Sequence, residues 1–320
     1  MTTWGLVTTV KAPLRSILEF AAWHLELGAH RIFLYLDDPE GLEPGTLDVL
    51  RDHPKLRPML TDHPYWRQRG RKRPARHQVR QTANASHRYN SGAGVDWLGH
   101  IDVDEFLVPE GPLTQLLGAL SEDCHIARVR PMEALAQENQ SDRWAFKTLT
   151  LDRDCRRRQS LEVWPTYGAY MNGGFLSHVA GKILVRTGLE AADFRIHNVF
   201  SGGEENPGSV ELSGAALAHM HARNWPDWLA QYRFRHQKGS YRAELKPDRP
   251  RDKGGLTLHE LFSMIETEGG EPALRQFFDE VCAANPQHLN RLAKAGLLRE
   301  VHLPLDALRL KHFPDCNLAK

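Results

Sequence analysis

Residues 4–38 read WGLVTTVKAPLRSILEFAAWHLELGAHRIFLYLDD, and this stretch decides the fold. Its first seven residues are almost all apolar or β-branched, the composition of a strand. Pro13 then opens a helix, because a first turn has no use for the N–H that proline lacks. Ile17, Leu18, Ala21, Ala22 and Leu25 recur at helical spacing, and Gly28 supplies the stop. A second apolar run, RIFLYL at 31–36, ends on Asp37 and Asp38. Strand, helix and strand in succession make a parallel crossover unit.

Working outward, the alternation continues. A short helix near 46–51, a weaker strand KLRPML at 55–60, a long helix from about Pro74 to Tyr89 and a fourth strand DWLGHID at 96–102 extend the same sheet. The middle of the chain, 121–222, reads instead as short strands, CHIARVRP, RWAFKTLTL, GKILVRTG and ALAHMHA, separated by turns such as GAYMNGG and FSGGEENPGS. Beyond Trp225 the pattern is helical, with LTLHELFSMIET, EPALRQFFDEVCAA and PQHLNRLAKAGL as the candidates. Proline, glycine and charge cluster in GSYRAELKPDRPRDKGG at 239–255. The expected organisation is therefore a sheet domain over 1–240 and a helical C-terminal extension over 241–320.

The chain has 320 residues, enough for a full core. Lys plus Arg number 41 against 40 Asp plus Glu, so global charge gives no argument for a nucleic-acid partner. Local charge is another matter: RQRGRKRPARHQVR at 67–80 concentrates arginine, as a phosphate-binding segment or a solvated face. The N-terminus shows no basic start followed by a long apolar core, and no apolar run reaches the roughly 18 residues of a membrane span. Cys124, Cys155, Cys282 and Cys316 have no paired metal spacing. Reduced thiols and a cytoplasmic location are the expectation.

Chemistry concentrates in DWLGHIDVDEFLVPEG at 96–111, where Asp102, Asp104 and Glu105 interrupt an apolar run. Unpaired charge is costly in such a frame. Asp102 and Asp104 alternate around Val103, which is expected to point back into the sheet. Paired carboxylates suit a hard divalent cation, Mn²⁺ or Mg²⁺, with sites left open for phosphate oxygens. Open α/β sheets bind ligands outside the carboxyl ends of their strands, so Asp37, Asp38, Asp102 and Asp104 are expected to share one rim. A phosphatase of the haloacid dehalogenase kind would carry its aspartates after the first strand, and a two-metal nuclease would need further acids nearby. A nucleotide-sugar transferase would place the pair halfway along a nucleotide-binding sheet of about 100 residues, and position favours this third chemistry.

The stretch VKAPLRSILEFAAWHLELGAHRIFLYLDD at 10–38, followed by WLGHIDVDEFLVP at 97–109, resembles the glycosyltransferase family 2-like group of GT-A enzymes, related to the family 92 transferases. Lys11, Glu19, His24, Leu27, Gly28, Tyr35, Asp37, Asp102, Asp104, Glu105 and Phe106 match that group's pattern. Ala12 and Pro13 stand where it usually has Asn-Glu, and Asp38 with Pro39 replaces an Asn-rich turn. GKILVRTG, FRIHNV and LAHMHARNWPDWL resemble its downstream segments, so the likeness covers about residues 4–240. It implies a GT-A, Rossmann-like mixed sheet flanked by helices. It also implies metal-dependent transfer of a sugar, with inversion, from a nucleotide-diphosphate donor to a glycan, lipid-linked or surface-polymer acceptor.

In that reading Asp102 and Asp104 hold the metal, with His219 as third ligand and His221 beside it. Lys11, Asp37 and Asp38 face the nucleotide, and Lys182 with Arg186 the diphosphate. Arg76, Gln78 and Gln81 are further candidates for the phosphates or sugar. The base is expected among Glu105, Asp193 and Glu204, with Glu205 and His197 near, whereas Glu19 and His24 make a buried structural pair. No transmembrane segment is expected, which leaves peripheral contact with a membrane surface open. The alternatives are a non-catalytic nucleotide-sugar-binding module and a two-metal phosphohydrolase.

Overall fold

The run Trp4–Val10 forms strand β1, buried at every residue. Such unbroken burial arises when helices cover both faces of a parallel sheet. A computed structural model describes residues 1–138, 141–238, 241, 247 and 251–316. In chain order β1 is followed by α1 (Leu14–Glu26), β2 (Arg31–Leu36), α2 (Thr46–Asp52), β3 (Leu56–Leu60) and α3 (His63–Gln68). Next come α4 (His77–Asn90), β4 (Trp97–His100), β5 (Glu105–Pro109), α5 (Leu113–Gly118), β6 (Ile126–Ala134) and β7 (Arg143–Lys147). Then follow α6 (Arg153–Val163), β8 (Lys182–Arg186), β9 (Asp193–Phe194), β10 (Val199–Ser201), β11 (Glu204–Glu205) and β12 (Ser209–His219). The chain continues with α7 (Trp225–Lys238), α8 (Leu258–Val281), α9 (Pro286–Lys294), β13 (Leu298–His302) and α10 (Leu305–His312).

These elements fall into two compact units. The first comprises Met1–Arg130, Ala180–Leu217 and the stretch from Pro304; the second comprises Pro131–Val179 and Ala218–Leu303. The boundary region read at 240–255 lies largely outside the described residues.

In the first unit β3, β2, β1 and β4 are parallel neighbours in that order. β8 then joins β4 antiparallel, and the first half of β6 joins β8. This is the mixed sheet flanked by helices that was expected. The carboxyl ends of β1, β2 and β4 share one rim. Under α3 and α4 one sheet face buries Val7, Phe33, Tyr35, Tyr65, Trp66, Tyr89, Ile183 and Phe194. On the opposite side α1 carries α10, tied by Arg15 to Asp306 at 3.1 Å and Lys311 to Glu26 at 2.8 Å.

The second unit pairs Glu133 and Ala134 of β6 with β7, and β7 antiparallel with β13. Its core holds Trp164, Trp228, Tyr232, Phe262, Phe277, Phe278 and Leu292. The C-terminal extension is therefore not helical throughout, since β13 is a strand. α8 is one helix only in name: Gly270 adopts φ 57°, ψ −147°, and Pro272 begins the next helical segment. The two helices read at LTLHELFSMIET and EPALRQFFDEVCAA are its two halves. α6 was not legible as a helix; Asp152 caps it by accepting from the Cys155 N–H at 2.7 Å.

Candidate active site

β4 stops at His100, and the acids that follow form a turn rather than more strand. The Glu105 N–H donates to the Asp102 carbonyl at 3.1 Å, and the Asp102 N–H donates to Glu105 Oε2 at 2.8 Å. Glu105 thus closes the turn with both its backbone and its carboxylate. Val103 is half-buried within this turn and does not point into the sheet, because the reciprocal bonds reverse the chain directly after Ile101. Asp102 and Asp104 are half-buried beside it.

Asp102 accepts from the Gln81 amide on one oxygen and from Lys182 Nζ at 2.7 Å on the other. Lys182 also lies 3.3 Å from Glu105, and its side chain is 3% exposed. Burial works against its ammonium, but the carboxylates of Asp102 and Glu105 outweigh burial and raise its pKa. A buried cation that keeps two acids as partners is locked in the charged form.

Asp37 ends β2 and is also buried. Arg80 grips its carboxylate with Nε at 2.7 Å and Nη2 at 2.6 Å, His77 Nδ1 lies at 3.0 Å, and Arg73 donates to its carbonyl at 2.7 Å. Burial would raise the Asp37 pKa; His77 and Arg80 more than offset it and hold the group well below the usual carboxylate range. Arg80 Nη1 also donates to the carbonyls of Pro74 and Ala75, both at 2.8 Å. Asp37 is therefore the post around which the basic segment folds. One face of α4 serves both acids: His77 and Arg80 meet Asp37, and Gln81, next in sequence, meets Asp102.

The other expected site residues are distributed unevenly. Lys11 pairs with Asp38 at 2.8 Å at the exposed ends of β1 and β2, a pair worth little to stability. Gln78 on α4 and Arg76 just before it are exposed, so the buried contact belongs to Gln81. Arg186 lies opposite Trp97, at the amino end of β4. Four strand residues, roughly 13 Å, separate it from Lys182. Its guanidinium caps the carbonyls of Cys124 and Ser121 at 2.9 Å each, which takes it away from the acidic turn. Asp193 pairs with Arg195 at 2.7 Å in the β9–β10–β11 ribbon, and Glu204 and Glu205 are exposed at its far strand. His197 Nδ1 donates to the Gly181 carbonyl at 2.7 Å. Glu19 accepts from Arg15 at 2.9 Å. His24 is held between the Phe20 carbonyl at 2.8 Å and the Leu107 N–H at 3.2 Å, a structural position.

Sequence reasoning missed His100. Its Nδ1 meets the Arg195 carbonyl at 3.1 Å and so carries the proton, while Nε2 is buried without a hydrogen-bond partner among the described residues. Burial, and then Lys182, push its pKa down to about 4. Its place two residues before Asp102 was the available signal.

His219 belongs to the second unit, where its ligating atoms lie within 4.8 Å of those of His221 and Glu133. Glu133 is buried, paired with Lys147 at 2.9 Å and bonded by the Ser177 N–H at 2.9 Å. Arg235 Nη1 approaches the His221 ring nitrogens at 2.7 and 2.9 Å, and burial, then Arg235, holds that imidazole neutral. Two histidines and an acid are metal-ligand types. Lys147 and Arg235 already supply positive charge there, so a dication is poorly suited to the cluster. Asp102 and Asp104 fit Mn²⁺ or Mg²⁺ better in donor type and exposure, with repulsion from Lys182 as the opposing effect.

No family model and no curated protein matches the chain. Among solved structures it is similar to HddC from Yersinia pseudotuberculosis, at 10% identity over 68% of this chain and 77% of that one, with a TM-score of 0.30. It is similar to the bifunctional glycosyltransferase WbbM at 11% identity, covering 58% of this chain and 31% of that one, TM-score 0.30. The galactosyltransferase LgtC, in complex with donor and acceptor sugar analogs, gives 11% identity over 57% of each chain and a TM-score of 0.27. The chain thus spans less than two thirds of WbbM and LgtC, and scores this low carry no activity across.

Proposed function

We propose that the chain is a metal-dependent glycosyltransferase of the GT-A kind, moving a sugar from a nucleotide-diphosphate donor to a glycan, lipid-linked glycan or surface-polymer acceptor with inversion. One observation carries this reading. At the carboxyl ends of β2 and β4, a half-exposed acidic turn and an arginine-rich segment anchored on Asp37 are tied together by a single face of α4. That rim is where open α/β sheets take nucleotides.

Mn²⁺ or Mg²⁺ held by Asp102 and Asp104 would supply positive charge to the departing diphosphate. The chain's own residues do the remainder. Lys182 and Gln81 fix the Asp102 carboxylate, and Glu105 orders the turn. Arg71, Lys72, Arg73 and Arg76, exposed in the segment anchored on Asp37, offer charge to phosphate oxygens. Lys11 and Asp38 face the nucleotide, and the base that takes the acceptor proton is drawn from Asp193 and Glu204.

Titration with UDP- and GDP-sugars, with and without Mn²⁺, tests this directly. Binding followed by slow, metal-dependent donor hydrolysis is expected; no binding and no hydrolysis for any donor would overturn it. Lys182, already seated between Asp102 and Glu105, favours a second reading, a nucleotide-sugar-binding module without catalysis. That module would bind a donor equally well without metal and leave it intact.

A further inference from the structure

The second unit holds a cavity of about 530 Å³ lined by one face of α6 and by the loop at 168–173, within the range of about 300–1,000 Å³ usual for small-molecule sites. Arg153, Arg156 and Arg157 line it against a single acid, Asp154, with Tyr170 and Asn172 on the loop side. Arg153 and Arg157 are exposed and have no hydrogen-bond or ion-pair partner among the described residues. Arg156 is anchored, its Nη1 donating to the carbonyls of Thr150 at 2.8 Å and Leu151 at 3.2 Å.

The loop side of the cavity packs closely on its supports. A Cβ on Gly168 would lie 2.0 Å from the Ser160 carbonyl oxygen, and one on Gly174 would lie 2.2 Å from the Trp164 ring. Trp164 is itself fully buried and donates its indole N–H to His288 Nε2 at 2.9 Å. Only glycine fits at these two close approaches. The arginines line a concavity, unlike the convex charged face of an ordinary surface helix.

We infer that this cavity binds an anionic saccharide, with a phosphorylated sugar as its simplest ligand. Guanidinium groups present paired donors that match phosphate or carboxylate oxygens. The Asn172 amide offers both donors and an acceptor, the complement of sugar hydroxyls. Tyr170 adds a ring face and a hydroxyl at the same mouth. A bilayer would meet a convex basic patch, whereas this charge lines a pocket that also contains an amide, which favours a discrete ligand. The inference is independent of the transferase reading.

The test is calorimetric titration of the full chain with glucose 1-phosphate, inorganic phosphate and methyl glucoside, alongside co-sedimentation with phosphatidylglycerol vesicles. Glucose 1-phosphate should bind saturably and more tightly than inorganic phosphate, and methyl glucoside should not bind. The pair Arg153→Gln/Arg157→Gln should weaken glucose 1-phosphate at least about tenfold, while Asp102→Asn leaves that affinity unchanged. Asn172→Ala should reduce affinity for glucose 1-phosphate but not for phosphate. Both arginines are exposed, so thermal unfolding of that variant should match the parent. Absence of glucose 1-phosphate binding, binding lost in Asp102→Asn but kept in the arginine pair, or equal affinity for phosphate and its sugar ester would each overturn the site. Vesicle binding that depends on the arginines without any phosphosugar binding would assign the face to a membrane instead.

Discussion

At the scale of single residues, the acidic turn assigns different tasks to three similar side chains. Glu105 is spent on the turn, Asp102 is gripped by Gln81 and Lys182, and Asp104 stands beside them. Asp102→Asn preserves shape and leaves Lys182 its second partner, so the fold should survive. Transfer should fall by at least about 100-fold, the scale of losing one charge-stabilising group, and parental turnover in that variant would remove the acid pair from the reaction. A second prediction concerns His24 and His100, whose pKa values burial pushes down to about 3 and about 4 from the ordinary 6.5. Between those limits the unfolded chain binds protons that the folded chain does not. Their contribution is thus fully present above pH 6.5 and is lost as pH falls toward 4. Each histidine removes up to about 1.4 kcal/mol per pH unit in that window. Urea midpoints measured across it should decline steadily; a flat profile would show that these imidazoles titrate normally. Little of this was legible beforehand. The identities of Asp102 and Asp37 stand out in the sequence, but their partners do not, because Arg80 lies 43 residues from Asp37 and Lys182 lies 80 from Asp102.

At the scale of elements, local pattern sufficed wherever burial is periodic. β1, α1 and β2 form where their apolar spacing puts them, and the Gly-Gly-Glu-Pro run at 269–272 marked the break within α8. Gly270 has a backbone conformation that only glycine adopts readily, and a Cβ there would meet nothing closer than Pro272 Cδ at 3.9 Å. The cost of Gly270→Ala is therefore one of backbone alone, about 1–3 kcal/mol. Chemical denaturation should register it, and an unchanged midpoint would mean that the two halves of α8 are free to straighten. Two elements escaped the sequence for definable reasons. α6 is too polar to show an apolar stripe, and its helix start rests on the single cap at Asp152. In β8, Lys182 and Arg186 share a strand face and look equivalent, but antiparallel pairing with β4 sends only Lys182 to the acidic end.

At the scale of the whole molecule, the cysteines give a direct check on both units. Cys124 and Cys282 are buried, whereas Cys155 and Cys316 are partly exposed. Burial pushes the Cys282 thiol up to about 12, so it is protonated and unreactive in the folded chain. A thiol reagent should titrate two groups in the native protein and four after denaturation; four at once would contradict the packing described. No helix among the described residues is long and apolar enough to cross a membrane. The mixed α/β class was readable from the alternation of elements, but the division into units was not, because each is assembled from separated segments. That assembly has a consequence for biosynthesis. Lys311 of α10 meets Glu26 of α1 across a sequence separation of 285 residues. On the ribosome, α1 emerges early and keeps one flank uncovered until α10 has also been made. The first unit therefore cannot complete its packing in the order of translation.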